Sequence, residues 1–253
     1  MRDNNLRVKL KRGEAVFGTM ISEMESSALP IILAEAGFDF FILDMEHGAY
    51  TLPSALHILQ TARLANITAL VRVADGLYHL IAPVLDAGAQ GIIVPRASSR
   101  PQIERSIAAM RYPPLGERGV FGGKANNDYI LPKLLDYTRH ANENILAIIQ
   151  IESKIGIERA EELLSTPGLD AAFIGPWDLA LSLGVEPTDL KVSEMALRII
   201  DVAKRNQVAS GIHLGDPAQL KTWQARGMTF LPCLTDLEMM RNSAHALIRA
   251  LRE

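Results

Sequence analysis

The sequence predicts a (β/α)₈ barrel, and three observations carry that prediction. Eight short apolar runs recur along the 253 residues, apolar positions at helical spacing fill intervals between them, and no glycine-rich turn follows the first run. Eight strands alternating with helices in about 250 residues is the pattern of a closed parallel barrel. An open doubly wound sheet is the rival, but its dinucleotide-type glycine turn is missing. One domain spanning 1–253 is expected, since no repeat, low-complexity tract or linker marks a second.

In order, the predicted strands are Ala15 to Ile21, Phe38 to Leu43, Ala69 to Val73, Gly91 to Val94, Ile145 to Ile151, Ala171 to Ile174, Ala209 to Leu214 and Met228 to Leu234. Runs this apolar read as strands buried on both faces. Helical spacing connects Leu29, Ile32, Leu33 and Ala36, then Leu77, Leu80, Ile81, Val84 and Leu85. It returns in Lys154 to Leu164, in Ala196, Ile199, Ile200 and Ala203, and in a last helix through Leu237, Met240, Ala244, Leu247, Ile248 and Leu251. The basic N-terminal segment is expected to form a short helix closing the bottom of the barrel. A long insertion, Arg111 to Asn144, separates the fourth helix from the fifth strand and carries an extra helix predicted from about Tyr129 to Arg139. Connections of that length are usually functional or interfacial.

Composition narrows the function. The net charge of −3 offers no basic stripe to meet phosphates, which argues against nucleic acid as a partner. No apolar signal segment or membrane span is legible, and the single cysteine, Cys233, excludes an internal disulfide. Cytoplasm is the expected location.

In such a barrel the chemistry sits at the C-terminal strand ends. Those ends present Asp44-Met45-Glu46-His47, then Arg72, Gln150 with Glu152, Asp178 and His213. Glu152 and Asp178 close adjacent predicted strands, so both reach one point above the sheet. Taken singly, Glu152 also suits the start of a helix and Asp178 a helix cap. Taken together, two close carboxylates repel unless a cation or proton is shared. All-oxygen ligands favour Mg²⁺ or Mn²⁺ over zinc and leave open positions for a chelating substrate such as a 2-oxo acid.

Gln150 shares the barrel face of Glu152 and is either a water-holding site residue or an internally satisfied amide. Gly175-Pro176-Trp177-Asp178 turns into a helix whose first free N–H groups suit a carboxylate, or serves as an ordinary strand-to-helix turn. Arg72 is expensive at a barrel mouth without an anion, and suits negative charge developing on a keto oxygen. His47 is the best general-base candidate of the six histidines. His57, His140 and His245 read as surface residues, with His79 and His213 open.

These residues together resemble the HpcH/HpaI aldolase family of metal-dependent, class II pyruvate aldolases. The matching segments are AGFDFFILDMEHG (36–48), LVRV (70–73), VLDAGAQGIIVPR (84–96), RYPPLGERGV (111–120), QIE (150–152) and FIGPWDL (173–179). The resemblance implies a divalent metal, Mg²⁺, Mn²⁺ or Co²⁺, held by Glu152 and Asp178 and chelated by pyruvate. It implies a substrate carboxylate on the backbone around Gly175, Pro176, Trp177 and Asp178, and Arg72 at the enolate oxygen. His47 would take the 4-hydroxyl proton, assisted by Asp86. Because Asp86 ends the third predicted helix, away from the site, it would serve a neighbouring subunit, in an oligomer that in this family is commonly a hexamer. The implied reaction is reversible cleavage of a 4-hydroxy-2-oxo acid to pyruvate and an aldehyde, within aromatic or sugar-acid catabolism. Trp177 and Phe121 to Lys124 depart from the family pattern and bear on the acceptor aldehyde. A lyase for CoA thioesters of the malyl-CoA or citryl-CoA type and a non-catalytic metal-binding barrel are the competing readings. A Schiff-base aldolase would need a buried lysine at a strand end, and Lys154 is only the nearest.

Overall fold

The computed structural model describes residues 2–253. Eight parallel strands close into a barrel in chain order. They are β1 (Val16–Ile21), β2 (Phe40–Asp44), β3 (Thr68–Arg72), β4 (Gly91–Val94), β5 (Leu146–Ile151), β6 (Ala171–Ile174), β7 (Ala209–Ile212) and β8 (Phe230–Thr235). The helices of the first half are α1 (Asn5–Lys11), α2 (Leu29–Glu35), α3 (Leu52–Ala65), α4 (Tyr78–Asp86), α5 (Arg100–Met110) and α6 (Leu134–Asn144). Those of the second are α7 (Lys154–Glu158), α8 (Ala160–Leu164), α9 (Pro176–Leu183), α10 (Leu190–Arg205), α11 (Pro217–Ala225) and α12 (Asp236–Arg252).

The two-residue period of a strand divides the core into two layers. Phe40, Ile42, Leu70, Ile148, Phe173 and Phe230 fill the barrel interior. Their neighbours Phe41, Leu43, Val71, Ile149 and Ala172 pack outward beneath the helices. Phe40 stacks on Phe230 with centroids 4.6 Å apart, and Phe173 meets Phe230 edge-on at 5.6 Å. Gly18 makes this aromatic layer possible, since a Cβ there would lie 2.4 Å from the Phe40 ring. The same parity carries upward to the mouth: Asp44 follows Ile42, Arg72 follows Leu70, and Gln150 follows Ile148. Registration of β2 against β3 sets Asp44 beside Arg72.

The basic N-terminal segment forms the expected floor. Asn4 caps α1 by accepting from the Arg7 N–H, Leu6 and Leu10 enter the inner core, and Arg7 pairs with Asp170 at 2.8 Å. Two helices differ from expectation. The stretch from Lys154 to Leu164 breaks at Arg159, whose guanidinium is drawn to Ser98 O at 3.0 Å and to Glu162, giving α7 and α8. The extra helix begins at Leu134 instead of Tyr129 and runs on to Asn144. Pro132 supplies no N–H and bars its predecessor from helical geometry, while Tyr129 itself has φ +60°. Before it, Ala125–Asn127 makes one 3₁₀ turn.

Asp236 ties the end of the barrel to its beginning. Its carboxylate accepts from the N–H groups of Ser22 (3.1 Å), Glu23 (3.1 Å) and Met24 (2.8 Å) and from the Ser22 hydroxyl (3.0 Å). Burial pushes this carboxyl up, but those donors more than offset it and hold it below the ordinary range. The stability it contributes is therefore present above the unfolded carboxylate pKa and is lost as pH falls through the folded value. Asp236→Ala is expected to lower unfolding stability by on the order of 3 kcal/mol at neutral pH, with the difference from wild type shrinking in acid. Urea titrations at two pH values check this; an equal deficit at both would refute it.

Past Met240, α12 is exposed throughout, and Leu247, Ile248 and Leu251 are 61%, 47% and 72% accessible. Among the described residues, no helix is long and apolar enough to cross a membrane.

Candidate active site

Arg72 is the organising charge at the barrel mouth, with its residue only 8% accessible. Nε donates to Asp44 Oδ1 at 2.9 Å and Nη2 to Asp44 Oδ2 at 2.7 Å, a bidentate pair. Nη1 reaches only Gln150 Oε1, at 3.4 Å, and so keeps donor capacity for another oxygen. The anion that makes a buried arginine affordable is thus supplied from within the chain by Asp44. Burial pushes the Asp44 carboxyl up, yet the Arg72 guanidinium and the Glu46 and His47 N–H groups prevail and hold it below the usual range.

Above this pair lies a set of carboxylates with too few partners. Glu152 accepts from the Arg96 N–H at 2.7 Å and from the Gln150 amide. Burial raises the Glu152 pKa despite those donors, and Asp178 adds to the rise. Glu46 lies 3.5 Å from Arg72 Nε and 3.9 Å from Arg96 Nε, and its buried Oε2 lacks a hydrogen-bond partner. Burial raises its pKa too; Arg72 opposes the rise and Glu152 reinforces it. Glu46 and Glu152 are both raised with too few donors around them, and with Asp178 beside Glu152 the carboxylates form a negative well suited to a cation.

A cleft of about 280 Å³ opens here, lined among others by Glu46, His47, Arg96, Glu152, Asp178 and Leu181. Glu152 closes it from the buried side, and Asp178, exposed on the first turn of α9, from the other. Gly175 lets the backbone pass close to the Glu152 and Gln150 side chains, since a Cβ there would lie 2.7 Å from Glu152 Oε2 and 2.8 Å from Gln150 Nε2 and would push both aside. Among the described residues no cluster of three or more His, Cys, Asp or Glu ligands is assembled. The oxygens of Glu152 and Asp178, with Glu46 nearby, are of the hard type that suits a divalent cation.

The other candidates divide clearly. His47 lies on the cleft with its side chain 67% exposed, and Nε2 is 3.8 Å from Glu46 Oε2. Pro176 is buried at the start of α9, where Gly175 serves as N-cap and the first-turn N–H groups of Trp177 and Asp178 are free of helix bonds. Trp177 is 75% accessible and is not among the residues that line the cleft. His213 is packed against Leu234 O at 3.1 Å, and burial depresses its pKa. His79 lines an outer groove elsewhere. Asp86 ends α4 on that same groove, where it pairs with Arg118 at 2.6 Å and makes no contact with the chain's own His47.

Asp44, Glu46 and Arg96 carry no role predicted from sequence. The first two were visible beside His47, and a parity count from Ile42 would have turned Asp44 toward Arg72. Arg96 offered no such signal: its left-handed backbone, φ +52°, is what aims its N–H at Glu152.

A family model for HpcH/HpaI aldolase/citrate lyase matches residues 21–243. The chain is 33% identical to the hydroxypyruvate/pyruvate aldolase of Paraburkholderia phytofirmans, over 98% of both chains. It is also 33% identical to the 2-keto-3-deoxy-L-rhamnonate aldolase of Klebsiella pneumoniae subsp. pneumoniae, over 90% of this chain and 85% of that one. In structure it is similar to an HpcH/HpaI aldolase from Desulfitobacterium hafniense, with TM-score 0.94, 30% identity, and coverage of 98% and 96%.

Proposed function

The chain belongs to the HpcH/HpaI aldolase/citrate lyase family, and on that premise we propose that it is a class II aldolase, a lyase that reversibly cleaves a 4-hydroxy-2-oxo acid to pyruvate and an aldehyde. The observation that carries this reading is the buried, bidentate Arg72–Asp44 pair set beside Gln150 and a cleft lined by the carboxylates Glu46, Glu152 and Asp178.

Glu152 and Asp178 would hold a divalent cation. Bound there, it would supply a Lewis acid for the carboxylate and keto oxygens of the 2-oxo acid. Arg72 is fixed by Asp44 and cannot swing to meet charge. The donor capacity that Nη1 keeps beyond its bond to Gln150 is therefore already in place for the C2 oxygen as that atom gains negative charge. The free N–H groups of Trp177 and Asp178, at the positive end of α9, orient the substrate carboxylate. Gln150 braces both Arg72 and Glu152, which keeps electrophile and metal acid in register. His47 removes the 4-hydroxyl proton, and the C3–C4 bond breaks as the aldehyde carbonyl forms.

The assembly is part of the proposal. Asp86 would support the His47 of a neighbouring subunit, in a homo-oligomer that we take to be a hexamer. Two surfaces support association: the exposed apolar residues of α12, and an apolar groove of about 800 Å³ between α3 and α4, with Asp86 on its rim. A cytoplasmic, catabolic role completes the reading.

The test is pyruvate release from a panel of 4-hydroxy-2-oxo acids differing in acceptor length and charge, with enzyme stripped by EDTA and then reloaded with Mg²⁺, Mn²⁺ or Co²⁺. Stripped enzyme is expected to lose activity and regain it with metal. Full activity after stripping would reject the metal-dependent mechanism. No release from any substrate, with metal binding intact, would favour a CoA-thioester lyase or a non-catalytic barrel.

A further inference from the structure

The long connection between α5 and β5 surrounds Asp86 with a buried polar network. Arg118, whose side chain is 1% accessible, donates through Nη2 to Asp86 Oδ1 at 2.6 Å. Asn126 Nδ2 approaches the same oxygen at 3.3 Å and also donates to Tyr137 Oη at 2.8 Å. The Arg118 guanidinium lies over the Tyr112 ring, 4.8 Å from its centroid, and Tyr112 Oη meets Tyr137 Oη at 3.0 Å. Asn142 fixes Tyr112 from both sides, accepting from its N–H at 2.7 Å and donating to its carbonyl at 3.0 Å.

This arrangement runs against several costs. A carboxylate at the last residue of a helix faces the negative end of the dipole. A guanidinium sealed from water needs full pairing, yet Arg118 Nε is buried without a partner. The network nonetheless engages one oxygen only. Both hydrogen bonds to Asp86 fall on Oδ1; among the described residues none falls on Oδ2, and Asp86 lines the apolar groove with its side chain 23% accessible. Stability alone does not account for a carboxylate gripped by one oxygen and presented by the other.

We propose that Arg118, seconded by Asn126, is a positioning residue that holds Asp86 with its free oxygen directed out of the subunit. The inference rests on the reading that Asp86 assists His47 of a neighbouring subunit, and it assigns the long connection its task. Its logic is preorganisation: a carboxylate able to rotate would spend its time on its own chain's donors, whereas one clamped at Oδ1 presents a fixed acceptor at the interface.

The experiment is a mutant cycle on metal-loaded enzyme, reading aldol cleavage and, separately, exchange of the pyruvate C3 protons with solvent. Asp86→Ala is expected to slow cleavage on the order of 10²-fold, within the span of proton-transfer assistance. Arg118→Met should match that loss, and Arg118→Lys should recover part of it, because an ammonium keeps the charge but not the planar fork. Cleavage should fall more than exchange, since Arg72 is untouched. The deciding reading is the double variant Asp86→Ala/Arg118→Met, expected to be no slower than Asp86→Ala, because a residue acting through Asp86 has nothing left to position. If Arg118→Met does not fold, Asn126→Ala takes its place, with a smaller loss that disappears in the Asp86→Ala background. Losses that multiply, or wild-type cleavage by both the Arg118→Met and Asn126→Ala enzymes while Asp86→Ala is impaired, would overturn the positioning role alone. Wild-type cleavage by Asp86→Ala would overturn the reading of Asp86 and this inference together.

Discussion

Arg72→Ala is expected to reduce aldol cleavage by roughly 10²- to 10³-fold, the loss that follows removal of one preorganised donor from a developing oxyanion. That corresponds to about 3–4 kcal/mol of transition-state stabilisation. The structure makes the effect large for a particular reason. Asp44 occupies Nε and Nη2, so the guanidinium is oriented before substrate arrives and Nη1 needs no reorganisation to act. Arg72→Lys should not restore the rate, because one ammonium cannot span both Asp44 oxygens and also reach the substrate. Steady-state kinetics on saturating substrate and metal decide it: a fall in kcat is expected, and a variant changed in KM alone would remove Arg72 from the chemistry.

The second large effect falls on stability. Asp44→Ala leaves the buried Arg72 without its bidentate partner, and breaking a buried ion pair by removing one member costs about 3–5 kcal/mol. The substitution also removes the acceptor for the Glu46 and His47 N–H groups, at 3.1 and 3.3 Å, so the loop carrying the proposed base loses its anchor. In a chain of this size the expected fall in Tm is on the order of 10 °C. Thermal unfolding at matched protein concentration measures it. An unchanged Tm would mean that solvent reaches Arg72 freely, against its burial here. Because the folded Asp44 carboxyl lies below its unfolded value, the stabilisation is present above the unfolded carboxylate pKa and fades as pH falls through the folded one.

Much of this molecule is legible in its sequence. The barrel follows from local pattern: apolar runs too short for helices, recurring between stretches at helical spacing, have few ways to bury both faces except as a closed parallel sheet. Glu152 and Asp178 were legible for the same reason, each being the first acid after a buried run, and β5 and β6 are indeed neighbours. The N-terminal floor helix also follows from its own residues. Arg72 was found, but its partner was not, because the cost of a buried cation says that an anion must exist without saying which one.

What the tertiary structure alone decided is who meets whom across distant segments. Arg72 pairs with Asp44 because β2 and β3 lie in a register that only the closed barrel sets. The Arg96 N–H is turned onto Glu152 by a left-handed backbone that its residue type does not announce. Arg118 reaches Asp86 over 32 residues because the long connection folds back against the end of α4. Local propensity and hydrophobic period act over one or two turns of chain, so they choose the elements and the faces these present. Pairing of charges and donors depends on three-dimensional closure, where burial makes an unmatched group so costly that the fold must supply a partner from wherever in the chain it can.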